Sequence, residues 1–355
     1  MTIRFIGNKQ KLLDTIVNKI CETTNLTDGT FVDLFTGTGV IAKAFKKEGF
    51  NVIANDKLIS SVIFSNANLL INSELKFEGI LKQITEKSND DKYQAVIGYL
   101  NKLEPVEGFF YQNYAPGGSS KHLSEPRQYF TDENAKKIDA IRTQINLWEK
   151  NHLLTNEERS ILISSLMLAV NQVANISGTY GAYLKKWYSR AEQEIKLNKY
   201  PITYGKKVYK VFNKDANELV RQLPKTDIVY LDPPYTKRQY HSYYHILETL
   251  AIGDNPHIWG KTGQRPKKEE DNSLYCYKKY AKETLNDLVL HVNCNHLFLS
   301  YSTDGHIDHK DILNILSQRG IPEYWKFEYK RFKSNNLKNS QGELKEVLYY
   351  VRIVN

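Results

Sequence analysis

Apolar positions along the chain fall into two regimes. Near the start they come in short unbroken runs. Phe31-Val-Asp-Leu34 ends in a glycine-rich turn, a helix-like stretch follows from Val40 to Glu48, and Asn51-Val-Ile-Ala-Asn55 is a second run that stops at Asp56. Runs of this length bounded by turn residues predict strands buried on both faces. Strand, glycine turn, helix and strand together predict a βαβ unit with a right-handed crossover on a parallel sheet. From about Leu58 to Lys150 the pattern becomes helical and polar, with a break at Pro116-Gly-Gly-Ser-Ser120. Ile161 to Val173 is apolar throughout and predicts a buried helix. Strands return at Lys207 to Phe212, Asp227-Ile-Val-Tyr-Leu231, His296 to Ser300, Trp325 to Tyr329 and Val347 to Val354, with helices over 243–251, 279–291 and 308–318. The expected organisation is an α/β domain built from 1–75 and 205–355, interrupted by a mainly helical insertion over 76–204.

Three strand ends carry chemistry. In Asp33-Leu-Phe-Thr-Gly-Thr-Gly39 the glycines let backbone approach a ligand, and the following helix presents its N-terminus. This fits a nucleotide site or simply a tight turn, and a carboxylate at the strand end suits an amino group or hydroxyls better than a pyrophosphate. Asp56, ending the next strand, can accept hydrogen bonds from ribose hydroxyls or cap the helix that follows. Asp232-Pro-Pro-Tyr235 follows the most apolar strand. Successive prolines donate no backbone hydrogen bond and hold an extended shape, which leaves carbonyls free beside the Asp232 carboxylate. Two acceptors and an aromatic ring fit the exocyclic amino group of a planar base.

These motifs, in this order, resemble those of the alpha-class (Dam-like) adenine-N6 DNA methyltransferases of restriction–modification type. Phe5-Ile-Gly-Asn-Lys9 is similar to that family's FxGxK motif, Asp33 to Gly39 to its DxFxGxG loop, Asn55-Asp56 to its ribose-binding acid, and Asp232-Pro-Pro-Tyr235 to its DPPY motif. Asp215-Ala216 and Ser300-Tyr301 are weaker matches. The resemblance implies a Rossmann-like class I S-adenosylmethionine-dependent sheet with an inserted, mainly helical target-recognition region. It implies a methyl donor held by Phe5, Gly7, Lys9, Asp33, Phe35, Gly37, Gly39, Asp56 and Asp215, with Lys9 near its carboxylate. Catalysis falls to Asp232, Pro233, Pro234 and Tyr235, acting on an adenine flipped out of double-stranded DNA. A cognate restriction endonuclease is the further partner implied.

Charge adds a polyanion to the picture. The chain carries a net charge of +9, and Lys185, Lys186, Trp187, Arg190, Lys206 and Lys207 interleave cations with aromatics in one tract. That tract is a candidate DNA surface, as is a second basic loop from Lys261 to Lys279. Three scattered cysteines exclude a disulfide framework, and none follows a proline, which argues against cytosine-C5 chemistry. No metal-ligand motif is present. No apolar run approaches the ~20 residues of a membrane span, and no signal peptide is evident, so the expected location is the cytoplasm. An RNA N-methyltransferase, a cytosine-N4 DNA methylase and a catalytically silent DNA-binding subunit stand as alternatives, and oligomeric state is open.

Overall fold

The computed structural model describes residues 9–84, 91–328 and 345–354. Two compact units emerge. One comprises 9–65, 205–239 and 268–354, and the other 66–204 and 240–267.

The first unit is built on a seven-stranded sheet: β1 (Thr30–Asp33), β2 (Asn51–Asn55), β3 (Tyr209–Phe212), β4 (Thr226–Leu231), β5 (Cys294–Ser302), β6 (Pro322–Glu328) and β7 (Lys345–Arg352). The spatial order is β3-β2-β1-β4-β5-β7-β6. The first five strands run parallel, and β7 runs antiparallel to both β5 and β6. This is the Rossmann-like methyltransferase sheet that the resemblance implies. The unbroken apolar runs of β1 and β4 have the expected cause, because both strands are buried along nearly their whole length.

One face packs Val32, Val229, Leu231, Leu297 and Leu299 with helix residues Leu285, Leu288 and Ile312 in a single cluster. On the other, Phe31 stacks on Phe45 from the helix Val40–Lys47. Each such side chain contributes roughly 1.5–3 kcal/mol relative to exposure. The strand order reverses between β1 and β4, since the chain proceeds outward from β1 through β2 to β3 and then restarts at β4 on the other side. Loops leaving two neighbouring strands in opposite directions open a crevice at their C-terminal ends. The glycine loop leaves β1 there, and Asp232 leaves β4.

The second unit is helical. Its long helices are Lys92–Lys102, Asp132–Lys150, Asn156–Val173 and His245–Ile252. Thr155 and Glu158 form a reciprocal cap on the third, and Glu158 also accepts the Phe77 N–H at 2.5 Å. Segment 240–267 joins this unit rather than the sheet, because His245–Ile252 is buried on nearly every side and packs against the helix Asn156–Val173. The basic loop expected over Lys261 to Lys279 is therefore divided, 261–267 in the helical unit and 268–279 in the sheet unit.

Candidate active site

β1 delivers Asp33 to the switch point, paired in register with Tyr230 of β4. Two residues of the following loop, Gly37 (φ 53°) and Gly39 (φ 74°), occupy the left-handed region that side chains rarely adopt. The loop is fastened to β2: the Thr36 N–H donates to the Asn55 carbonyl (3.0 Å) and the Gly37 N–H to Asp56 Oδ2 (2.8 Å). Asp56 Oδ1 accepts from the Leu58 N–H (3.0 Å). Asp56 thus orders the loop and turns the chain ahead of the next helix, which begins only at Ile59 rather than at Lys57. Burial raises its pKa to about 6 against those backbone donors. The buried Asn55 amide donates to the carbonyls of Leu34 and Lys214 and accepts from the Lys214 N–H, joining the loops after β1 and β3.

Asp33 is 1 % exposed, and its Oδ1 has no hydrogen-bond partner among the described residues. Burial, with the nearby charges of Asp232 and Asp56, pushes its pKa up to about 8. A buried carboxyl with an unpaired oxygen invites a donor, and a cationic donor most of all.

At the end of β4, Asp232 meets Lys9, whose Nζ lies 3.1 Å from Asp232 Oδ1 and 2.7 Å from Glu346 Oε1 on β7. Ser300 Oγ donates to the same Glu346 oxygen (2.6 Å). Burial works against the Lys9 charge, but the Asp232 and Glu346 carboxylates more than offset it and hold its pKa well above the usual value. Burial pushes the Asp232 pKa upward and Glu346 adds to the push, while Lys9 opposes both. Pro233 is buried. The Tyr235 ring packs edge-on against Tyr301 (5.8 Å) and lies 6.0 Å from Lys9 Nζ, and its carbonyl accepts the His306 N–H (2.9 Å). Asp215 caps the short helix after β3 through the Asn217 N–H and pairs with Lys57. Asn217 Oδ1 accepts the Tyr275 hydroxyl (2.7 Å), and the Tyr275 ring meets Phe35 edge-on (5.3 Å).

A family described as D12 class N6 adenine-specific DNA methyltransferase matches residues 5–315. The chain belongs to that family. It is similar to the type II methyltransferase M.FokI of Planomicrobium okeanokoites, with 40% identity over 99% of this chain and 52% of that protein. It is also similar to the modification methylase StsI of Streptococcus sanguinis, with 35% identity and the same coverages. The type II methyltransferase M.NlaIII of Neisseria lactamica is 32% identical over 99% of both chains. The chain therefore spans about half the length of the first two relatives and nearly all of the third.

For a D12 class member the implied methyl donor is S-adenosylmethionine, and the residues present fit it. The orphaned Asp33 oxygen matches an ammonium or hydroxyl donor, and the two left-handed glycines keep side chains off the crevice floor. Lys9, expected near the donor's carboxylate, has its ammonium on Asp232 and Glu346. Phe5 and Gly7 lie outside the described residues. Sequence reasoning missed Glu346, Asn217 and Tyr275. Glu346 had a signal, an acid at the entrance of an apolar strand, but the predicted strand began one residue later. Asn217 and Tyr275 had none.

The DNA-tract residues separate. Lys185, Lys186, Trp187 and Arg190 belong to the helical unit, and Lys206 and Lys207 to the sheet unit. The tract forms no helical face, since only Ser189–Glu192 makes a turn of 3-10 helix. Lys185 and Lys186 are exposed, Trp187 is half-buried, and the Arg190 guanidinium sits over the Tyr188 ring and donates to the Ile176 carbonyl. Tyr200 turns inward to hydrogen-bond Asn68.

Proposed function

We propose that this chain transfers a methyl group from S-adenosylmethionine to adenine N6 in double-stranded DNA, as the modification enzyme of a restriction–modification system. The observation that carries this reading is the meeting of two motifs at one switch point: the unpaired, buried Asp33 carboxyl at the end of β1 and the lysine-clamped Asp232 at the end of β4. Family membership supports the adenine preference, and the names of the relatives, a type II methyltransferase and a modification methylase, support the modification role.

When bound, S-adenosylmethionine supplies an electrophilic methyl group. Asp33 would accept from its amino or ribose end, Asp56 from ribose hydroxyls, and Asp215 from its adenine, with Phe35, Gly37 and Gly39 forming the support and Phe5 and Gly7 completing the site. The Asp232 carboxylate and the Pro233 carbonyl would accept the two N–H groups of the target amine. That frees the nitrogen lone pair from the ring, and a fixed pair of acceptors needs no reorganisation as charge develops. Lys9 holds the Asp232 carboxylate in one rotamer and favours its ionised form, and by the resemblance it also lies near the donor's carboxylate. The Pro234 ring stiffens the turn, and Tyr235 offers a face to the flipped base at a stacking gain of ~1–3 kcal/mol.

Target recognition is assigned to 76–204, within the helical unit, and catalysis to 1–75 and 205–355 apart from the 240–267 segment. A DNA-modifying enzyme of this kind works in the cytoplasm; no described helix is long and apolar enough to cross a membrane. The test is incubation with tritiated S-adenosylmethionine and unmethylated plasmid, followed by digestion to nucleosides. Label in N6-methyladenine, absent with Asp232→Ala, is expected. Label in N4-methylcytosine would move the base, and label only in RNA would overturn the substrate.

A further inference from the structure

The helical unit contains a six-residue turn that is anchored from beneath along its whole length. Trp259 and Gln264 exchange both backbone hydrogen bonds (2.9 and 2.8 Å), and Gly260 (φ 69°) and Gly263 (φ 66°) supply the left-handed corners. Three carbonyls of this turn accept hydrogen bonds from buried side chains, and a fourth shares one. Arg127 donates from Nη2 to Gly260 (2.9 Å) and from Nε to Lys261 (3.1 Å), Tyr114 donates to Gly263 (3.0 Å), and the Tyr129 hydroxyl, which donates to the Tyr180 carbonyl (2.7 Å), lies 3.2 Å from the Thr262 carbonyl. Gly263 is required as well by the close approach, because a Cβ there would lie 2.9 Å from the Tyr114 ring.

Three large, buried side chains thus serve to hold a surface turn rigid, yet the turn contributes almost nothing to the core. Its tryptophan stands 54 % exposed. A tryptophan left in water on a pre-ordered support loses little entropy on meeting a flat partner. Its surroundings give the partner's charge. Lys261 on the turn and Lys185 of the basic tract both pair with the one carboxylate of Glu125, which brings the turn that carries Trp259 beside that tract. Pairs this exposed dissociate readily in favour of phosphates.

We propose that Trp259 is a DNA-contacting residue, presented by the anchored 259–264 turn to stack on or wedge between bases while Lys261, Lys185 and Lys186 hold the flanking phosphates. This rests on the DNA-methyltransferase reading and names the surface through which the helical unit grips its substrate.

The test uses the full chain and plasmid DNA as the probe. Trp259→Ala should raise KM for plasmid roughly five- to a hundredfold, the range of one lost base–aromatic stack, with KM for S-adenosylmethionine unchanged. Trp259→Phe should recover most of the loss. Sheared plasmid DNA should quench the part of the tryptophan emission that Trp259→Phe removes, with no quenching by an equally charged polyphosphate. If wild-type protein methylates DNA but Trp259→Ala keeps its KM for plasmid and its emission is indifferent to DNA, the inference fails and the functional reading stands. If Trp259→Ala instead changes the sedimentation of the DNA-free protein, the face is an interface between copies and the inference is overturned. If wild-type protein labels no DNA at all, the functional reading itself falls.

Discussion

At the residue scale the active site sets three carboxyls beside one cation. Lys9 touches Asp232 and Glu346, while Asp33 has no cationic partner among the described residues. Removing one member of a buried ion pair leaves an uncompensated charge, at a cost of about 3–5 kcal/mol. Lys9→Met should therefore lower stability by that order in urea unfolding and abolish methylation. Glu346→Gln keeps the hydrogen bond but deletes a charge that pushes the Asp232 pKa up. Ionised Asp232 is the stronger acceptor and keeps its ion pair with Lys9, so activity declines as pH falls through its pKa. Lowering that pKa should move the acid limb of the kcat/KM profile for DNA to lower pH; an unmoved limb would show that Glu346 does not act on Asp232. Asp33 has the opposite consequence for stability. Its folded pKa is raised to about 8 from an unfolded value near 3.9. The folded state then binds the extra proton, so stability is greatest below the unfolded pKa and declines as pH rises towards 8. Asp33→Asn should raise the urea midpoint at pH 8 more than at pH 5 while weakening S-adenosylmethionine binding, measured by calorimetry.

At the scale of elements, the strand-end loops and helix caps were the most legible features. The glycines after β1 could be read because only glycine takes their backbone angles easily. Asp56 admitted two roles in the sequence, and its bonds to Leu58 and Gly37 show it ordering the loop and the turn before the helix. Predicted helices over 279–291 and 308–318 correspond to Lys278–His291 and His309–Leu316. The strand predicted over Trp325 to Tyr329 is β6, Pro322–Glu328, with Tyr329 outside the described residues. The tract from Lys185 could not be resolved residue by residue, because alternating cations and aromatics look alike whether exposed or turned inward. Tyr200 went to the core and Lys185 to water, 81 % exposed. The cap on Asn156–Val173 lends itself to a direct check. Thr155→Ala should cost about 1 kcal/mol in urea unfolding and leave kcat at low temperature unchanged; a loss of activity without loss of stability would place Thr155 in a functional role instead.

At the scale of the whole molecule, charge is the property that acts at a distance. An excess of nine positive charges favours any polyanion, and the salt dependence of binding counts the contacts actually made. Replacing Lys185 and Lys186 together by Ala should weaken plasmid binding and reduce the slope of log affinity against log salt by about 1.8 if both neutralise phosphates. An unchanged slope would remove both from the interface.

What the sequence by itself determined about this protein is local: the glycine loop behind β1, the Asp232-Pro-Pro-Tyr235 turn behind β4, and the alternation of strand and helix that makes a parallel sheet. Each depends on backbone angles or burial within a few residues, so periodicity and residue type suffice to read it. Only the tertiary structure decided the pairings across the chain. Lys9 meets Glu346 from 337 residues away, segment 240–267 leaves the sheet for the helical unit, and Arg127 reaches back to hold the turn at Trp259. A charge or an apolar face carries in its sequence no record of its partner, because many partners satisfy it equally, and the packing of the folded chain selects one.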